Sequence, residues 1–460
     1  MSALGAVAGL AVSLATGAGL VMLAMPPARV LAERALAAAA AIVAGIAAHA
    51  LLAFAVCLVT GRLSGTLVPI DLGLAAGACA AGVLSRRRAT ARPAPPRSPE
   101  ARPDGLGKAA RLLVLAGAGV AAAAVALVAW KSPGGGWDAV ANWNLKARIL
   151  VRATEPFALL RRPELGWPHP DYPPLLPLSV ARLWAFGGES AFAPALLAAA
   201  FAGATLLAAL GAAGALHGGA AILAPLLVLG TSSWFRECTA QGADVPLGGL
   251  VATSLALLFA REGRGRGAAL LAGLVAGSAP FLKNEGIVFA GAAAAAVAWL
   301  DRARLRPFVV GLAPGWAATA WFKLALAGPS YLSLNTTLAG ALLRLADPGR
   351  WRLVLRAYAG ALLGIGGGIC AAAVALLLLA GLRPRRPAAL AWVPLALLGA
   401  SQVGIYLVTP LDLAWQLDAS VDRVLLQLWP AACALLFLGA RFPPLEAPAP
   451  GTGQGARAGR

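Results

Sequence analysis

The sequence predicts an all-α polytopic membrane protein. Three observations carry that reading. The 460 residues are 60% hydrophobic and only 12% charged, against about 25% charged in soluble domains. Apolar runs of roughly 20 residues recur, each long enough to cross a hydrocarbon core of about 30 Å. The runs are built of Leu, Ala, Val and Gly without period-two alternation, which excludes a transmembrane β-barrel.

Thirteen runs fit spans: 3–25, 35–59, 66–84, 111–130, 190–214, 219–235, 243–260, 267–281, 286–300, 307–327, 353–381, 389–408 and 423–440. The first lacks a basic n-region, so it reads as an uncleaved helix and not a signal peptide. The first three form an accessory group, 1–84. The segment 85–110, which includes RRRATARPAPPRSPEARPDGLGK, is a basic linker rich in Pro, Arg and Ala, and its composition predicts disorder. A membrane module follows over 111–440, then a polar tail, 441–460, expected to be disordered and cytoplasmic.

Taking the linker as cytoplasmic fixes the other loops. The inside set becomes 26–34, 85–111, 261–267, 301–306, 382–388 and the tail; it holds 22 of the 38 basic residues but only 6 of the 19 acidic ones. That is the positive-inside pattern. The formal charge of +19 is thus accounted for by topology, and no nucleic-acid partner is expected. One segment, 172–188, is apolar but short, with three prolines in its first turns. It reads as a re-entrant or interfacial helix. The five cysteines have no metal or redox spacing and read as small apolar helix residues.

With this orientation the unusual polar residues gather in the outward loops. The longest, 131–172, opens on GGGWDAVANWNLKAR, with Asp138 just beyond an apolar run. Its Trp137, Trp143 and Trp167, mixed with charges, predict short helices along the membrane surface, roofing a cavity. The charged residues of 146–164 read as a solvated amphipathic face. HPDYPP brings His169, Asp171 and Tyr172; QGADVP brings Gln241 and Asp244; LKNEG brings Lys283, Asn284 and Glu285; TPLDLAWQLDASVDR ends on Arg423.

Ionisable groups at membrane depth are costly and mark functional sites by default. Each also has a structural reading: Asp244 as a helix cap, Lys283 and Glu285 as a self-neutralising turn, Arg423 as a snorkelling residue, His169 as a turn residue beside Pro170. The chemistry the set suits is transfer from a phosphorylated lipid. A carboxylate can act as general base on an acceptor hydroxyl or amine. Lys and Arg can hold a phosphate leaving group.

The ordered set W-D-A-x-x-x-W-N-L-K-A-R, H-P-D-Y-P-P-L-L-P-L, A-D-V-P-L, L-K-N-E-G and T-P-x-D-L-x-W-x-L-x-x-S-x-x-R resembles bacterial membrane glycosyltransferases of the GT-C superfamily, nearest the protein O-mannosyltransferase-like and aminoarabinose-transferase-like groups. The resemblance spans roughly 111–440. It implies a GT-C-like bundle whose first outer loop is catalytic and carries surface helices. It implies a polyprenyl-phosphate sugar donor and a glycan, lipid or protein acceptor, with transfer on the outer face of the bacterial cytoplasmic membrane among its lipids. Asp138 would be the base and Asp244 the second acidic residue, with Lys283 and Arg423 at the donor phosphate. His169, Asp171, Tyr172, Gln241, Asn284 and Glu285 are candidate substrate contacts. Two departures stand out. About three spans precede the catalytic loop, and Asp138 is followed by Ala139, not by a second carboxylate. The latter fits a metal-independent mechanism, and no certain cofactor is expected.

A lipid flippase or secondary transporter is the competing class, and an assembly protein a third. A transporter calls for polar residues near the midplane, broken helices and paired halves. GIGGG at 364–368 is the only candidate break visible in the sequence.

Overall fold

The computed structural model describes residues 2–28, 30–63, 65–90, 108–162, 164, 169–217, 222–259, 265–379 and 386–439. Most of the linker (91–107), Trp167 and the tail from 440 onward lie outside them. All regular structure among the described residues is helical. The chain runs α1 (Ser2–Ala24), α2 (Leu31–Thr60), α3 (Leu67–Thr90) and α4 (Lys108–Lys131). The short helices α5 (Asn144–Arg152) and α6 (Pro156–Leu160) come next, followed by α7 (Leu175–Gly187) and α8 (Phe192–His217). Then come α9 (Leu223–Leu229), α10 (Ser232–Ala240), α11 (Asp244–Phe259), α12 (Arg266–Leu282), α13 (Glu285–Leu300) and α14 (Arg302–Trp321). The last third holds α15 (Tyr331–Asn335), α16 (Leu338–Leu345), α17 (Pro348–Gly364), α18 (Ile369–Leu379), α19 (Arg386–Val408), α20 (Leu413–Leu425) and α21 (Trp429–Gly439).

Among the described residues seven helices are long and apolar enough to cross a membrane, or up to nine if each of two bent pairs is one span. The thirteen sequence-derived spans are therefore matched only in part. Where one span was expected over 219–235, the chain forms the two short helices α9 and α10, divided at Gly230 and Thr231. α10 then meets α11 at 112°. The last expected span is bent by 42° between α20 and α21. GIGGG does break its helix: Gly366, Gly367 and Gly368 have φ of 57°, 64° and 85°, which glycine adopts at no steric cost. α3 also runs on through Arg86–Thr90, so the linker's first residues are helical.

The bundle is built on small residues. α12 and α14 pack closely, as do α1 with α3 and α2 with α8. A single apolar core joins Leu36, Ala39 and Val43 of α2 to Leu197 and Phe201 of α8 and to Ala272 and Val275 of α12. α2 thus shares its core with α8 and α12. α7 spans only 13 residues, about 20 Å at 1.5 Å per residue. It is nonetheless buried along most of its length, which keeps the HPDYPP strap pressed against the bundle.

Candidate functional site

Five segments far apart in sequence meet at one end of the bundle. The 131–143 loop starts it. Gly135 has φ +75°, and a Cβ there would sit 2.8 Å from the Ala240 carbonyl oxygen. Gly136 N–H then donates to Ala240 O at 2.9 Å. This close approach seats Asp138 beside the 240–244 turn. A π-helix, Ala139–Trp143, follows, a form often found at functional sites. Asp138 stands at its N-cap without making a side-chain capping bond. Its carboxylate instead accepts from Arg423 Nη1, 285 residues away.

Asp244 opens α11 and is buried. Its Oδ1 accepts from Lys283 Nζ at 2.7 Å and from Gln427 Nε2 at 2.6 Å. Lys283 also lies 3.1 Å from Glu285 Oε1. Asp244 therefore ties α11 to the α12–α13 turn and to the α20–α21 bend. The turn is tight: a Cβ on Gly286 would come within 2.2 Å of the Ala279 backbone, so LKNEG needs its glycine. Asn284 Nδ2 donates to Asp171 Oδ2 at 2.7 Å, and Lys323 Nζ donates to the Asp171 carbonyl. Three buried polar atoms in the cluster have no hydrogen-bond partner among the described residues: Asn284 Oδ1, Glu285 Oε2 and Arg423 Nε. Buried polar groups without a partner are few in folded proteins, and each calls for an explanation.

Beside this network lies an aromatic stack. Tyr172 is stacked on Trp143 at 5.7 Å and on His169 at 4.9 Å between ring centroids. His169 has φ +47° and Gln241 φ +59°; these are the two positive-φ non-glycine residues among the described ones. Strain of this kind concentrates at functional sites. Gln241 holds the loop through Nε2 to Pro133 O at 3.3 Å and accepts from Asn144 Nδ2 at 3.4 Å. Burial lowers the His169 imidazole, with Lys146 and Lys283 adding to the effect and Asp171 and Asp138 opposing it. Burial pushes the Tyr172 phenol up.

The candidates from all five motifs are thus drawn into one neighbourhood. Their side chains pair with one another across the motifs. Lys146, expected on a solvated face, is only 2% exposed. Its Nζ donates to His169 O at 2.7 Å and Tyr172 O at 3.3 Å. Only its neighbours behave as expected: Arg152 pairs with Glu189 at the surface, at 2.6 and 2.7 Å. Lys323 and Gln427 escape sequence reasoning because each is one polar residue inside an apolar run. Asp412 of the last motif is a plain N-cap, accepting from Trp415 N–H at 2.7 Å.

Burial pulls the Lys146 ammonium down to about 7; Asp171 opposes this and Lys323 adds to it. The folded chain therefore binds this proton less well than the unfolded chain, whose lysine titrates near 10.4. Stability from this group rises with pH across that window and is lost as pH falls toward 7. Lys146→Met is expected to flatten the rise. Thermal melts of both proteins between about pH 7 and 10 check it; parallel curves count against a buried ammonium.

No protein-family model, curated protein or solved structure matches this chain. Among the described residues no group of three or more His, Cys, Asp or Glu side chains is placed to hold a metal ion.

Proposed function

We propose that the chain is a membrane glycosyltransferase. It moves a sugar from a polyprenyl-phosphate donor to a hydroxyl- or amine-bearing acceptor, which is a glycan, a lipid or a protein. In this reading it sits in the bacterial cytoplasmic membrane with the site on the outer face. The observation that carries the reading is the Asp138–Arg423 pair. A carboxylate suited to take a proton and a guanidinium suited to hold a phosphate touch at the mouth of a helical bundle.

The reaction is a single displacement with inversion. Asp138 takes the acceptor proton as the acceptor oxygen or nitrogen bonds to the anomeric carbon. The anomeric C–O bond breaks, and its electron pair leaves on the lipid phosphate, held by Arg423. Lys283 has a different part from the one first expected of it. With Asp244 and Glu285 already on it, it aligns those carboxylates, and the spare donor at the phosphate is Arg423 Nε. Release of polyprenyl phosphate from synthetic polyprenyl-phosphate sugars by the purified protein in liposomes tests the proposal. No release and no transfer across a panel of hexose and pentose donors, offered with glycan, lipid and peptide acceptors, would sink it.

A second reading, a flippase or transporter for lipid-linked sugars, is favoured by the bent pairs α10–α11 and α20–α21 and by the break at Gly366. Broken helices beside a polar site are a transporter feature. It predicts donor crossing the bilayer intact, with no new glycosidic bond.

A further inference from the structure

One more group of ionisable side chains is buried in the bundle, away from the polar cluster. His49 of α2, Asp71 of α3 and Arg182 of α7 are 0%, 0% and 2% exposed. Asp71 is the centre. Its Oδ1 accepts from His49 Nδ1 at 2.7 Å, and its Oδ2 accepts from Arg182 Nε. Arg182 Nη1 donates to Ser13 Oγ of α1 at 2.7 Å. His49 Nε2 lies 2.7 Å from Thr16 Oγ1, also of α1. Four helices contribute to one network centred on Asp71. Such groups at membrane depth are expensive, and a task is the default explanation for them.

Counting hydrogens shows what the group can do. Arg182 is charged at any accessible pH. Asp71 accepts from two donors. His49 is the open member. Thr16 carries one hydroxyl hydrogen and has two acceptors in reach, Val12 O at 3.1 Å and His49 Nε2 at 2.7 Å. When Thr16 donates to Nε2, the imidazole is neutral. When Thr16 turns to Val12 O, Nε2 can itself donate to Oγ1, and the ring is then an imidazolium. Both arrangements satisfy Nε2 and the hydroxyl with every heavy atom in place.

We propose that His49, Asp71 and Arg182, with Thr16 as the reversible partner, form a proton-binding site inside the bundle. The ligand is one proton, taken from water onto His49 Nε2 and returned to it, with no other bond made or broken. The charged groups around it are Asp71, hydrogen-bonded to its Nδ1, and Arg182, held on the far oxygen of Asp71; the facing residues of α1, Ser13 and Thr16, are uncharged. Arg182 lies on α7, whose leading strap carries Asp171 and Tyr172. The proton thus sits where the accessory helices grip the element that enters the candidate site. The proposal is independent of the sugar-transfer reading.

The chain has three histidines, so nitrogen-15 labelling at histidine alone gives a readable spectrum of the full protein in lipid nanodiscs. His49→Gln assigns the resonance. The expected result is a reversible shift of the His49 ring nitrogens between about pH 4 and 9. Asp71→Asn removes the counter-charge and should lower the midpoint; Arg182→Gln removes a like charge and should raise it, each by on the order of one pH unit. His49 shifts that stay constant across the range in the unmodified chain overturn the proposal, whether or not the variants fold. So does movement of the midpoint in the same direction by both substitutions.

Discussion

Asp138→Asn should abolish transfer and, at the same time, tighten the hold on donor. The first effect follows from general-base assistance, worth about 10²–10⁴ in rate. The second follows from the ion pair. Arg423 now spends Nη1 on Asp138, so an incoming phosphate must compete with that carboxylate. The local charge makes the competition sharper. Asp138, Asp171, Asp244 and Glu285 face Lys283, Lys323 and Arg423, while Lys146 adds a full charge only below about 7. Asparagine removes the competitor and keeps the shape. Asp138 makes no capping bond, so the substitution costs the loop nothing on that account. Transfer rate and apparent donor affinity, measured in the same liposomes, give two independent readouts. Near-normal transfer would remove Asp138 as the base and leave Asp244 as the remaining candidate. Lost transfer with unchanged or weaker donor binding would keep the base and discard the competition.

The pairing has a mechanistic consequence. Arg423 occupies the Asp138 carboxylate, so under the proposed reaction an acceptor would reach that carboxylate only as phosphate draws the guanidinium away.

The all-helical class and the polar loop ends were legible in the sequence for a physical reason. Apolar length and charge at helix ends are properties of local sequence, and Asp138, Asp244, Lys283 and Arg423 all sit at such ends. What sequence could not show is pairing. His49, Asp71 and Arg182 each look like one stray polar residue in an apolar run, and only packing reveals that they share one network. Lys146 was misread because its neighbours Arg148 and Arg152 are exposed and sequence alternation does not say which face turns inward. The α10–α11 bend escaped because its glycine and proline, Gly242 and Pro246, are ordinary in membrane helices. The 172–188 segment reads as re-entrant or interfacial from its shortness and its early prolines, and it forms the 13-residue helix α7.

Lys283→Ala separates a phosphate ligand from a structural hub. Lys283 is buried and touches two carboxylates, Asp244 at 2.7 Å and Glu285 at 3.1 Å. Removing one partner of a buried ion pair leaves an uncompensated charge and costs about 3–5 kcal/mol. Here two charges are stranded, although Gln427 still donates to Asp244. The variant should therefore melt well below the parent protein in the same detergent at neutral pH. Its stability should also recover as pH falls. Stranded carboxylates have folded pKa values raised above the unfolded value of about 4, so the folded state takes up protons first. The penalty is full above the raised pKa and fades as pH drops toward 4. Adding Asp244→Asn and Glu285→Gln to Lys283→Ala should restore much of the melting temperature at neutral pH, since the charges that needed the ammonium are gone. A lysine kept only to grip the donor gives the opposite pattern: Lys283→Ala melts like the parent, shows no gain at low pH, and loses donor affinity alone. That pattern would return Lys283 to the phosphate and require another explanation for the Asp244–Lys283–Glu285 contacts.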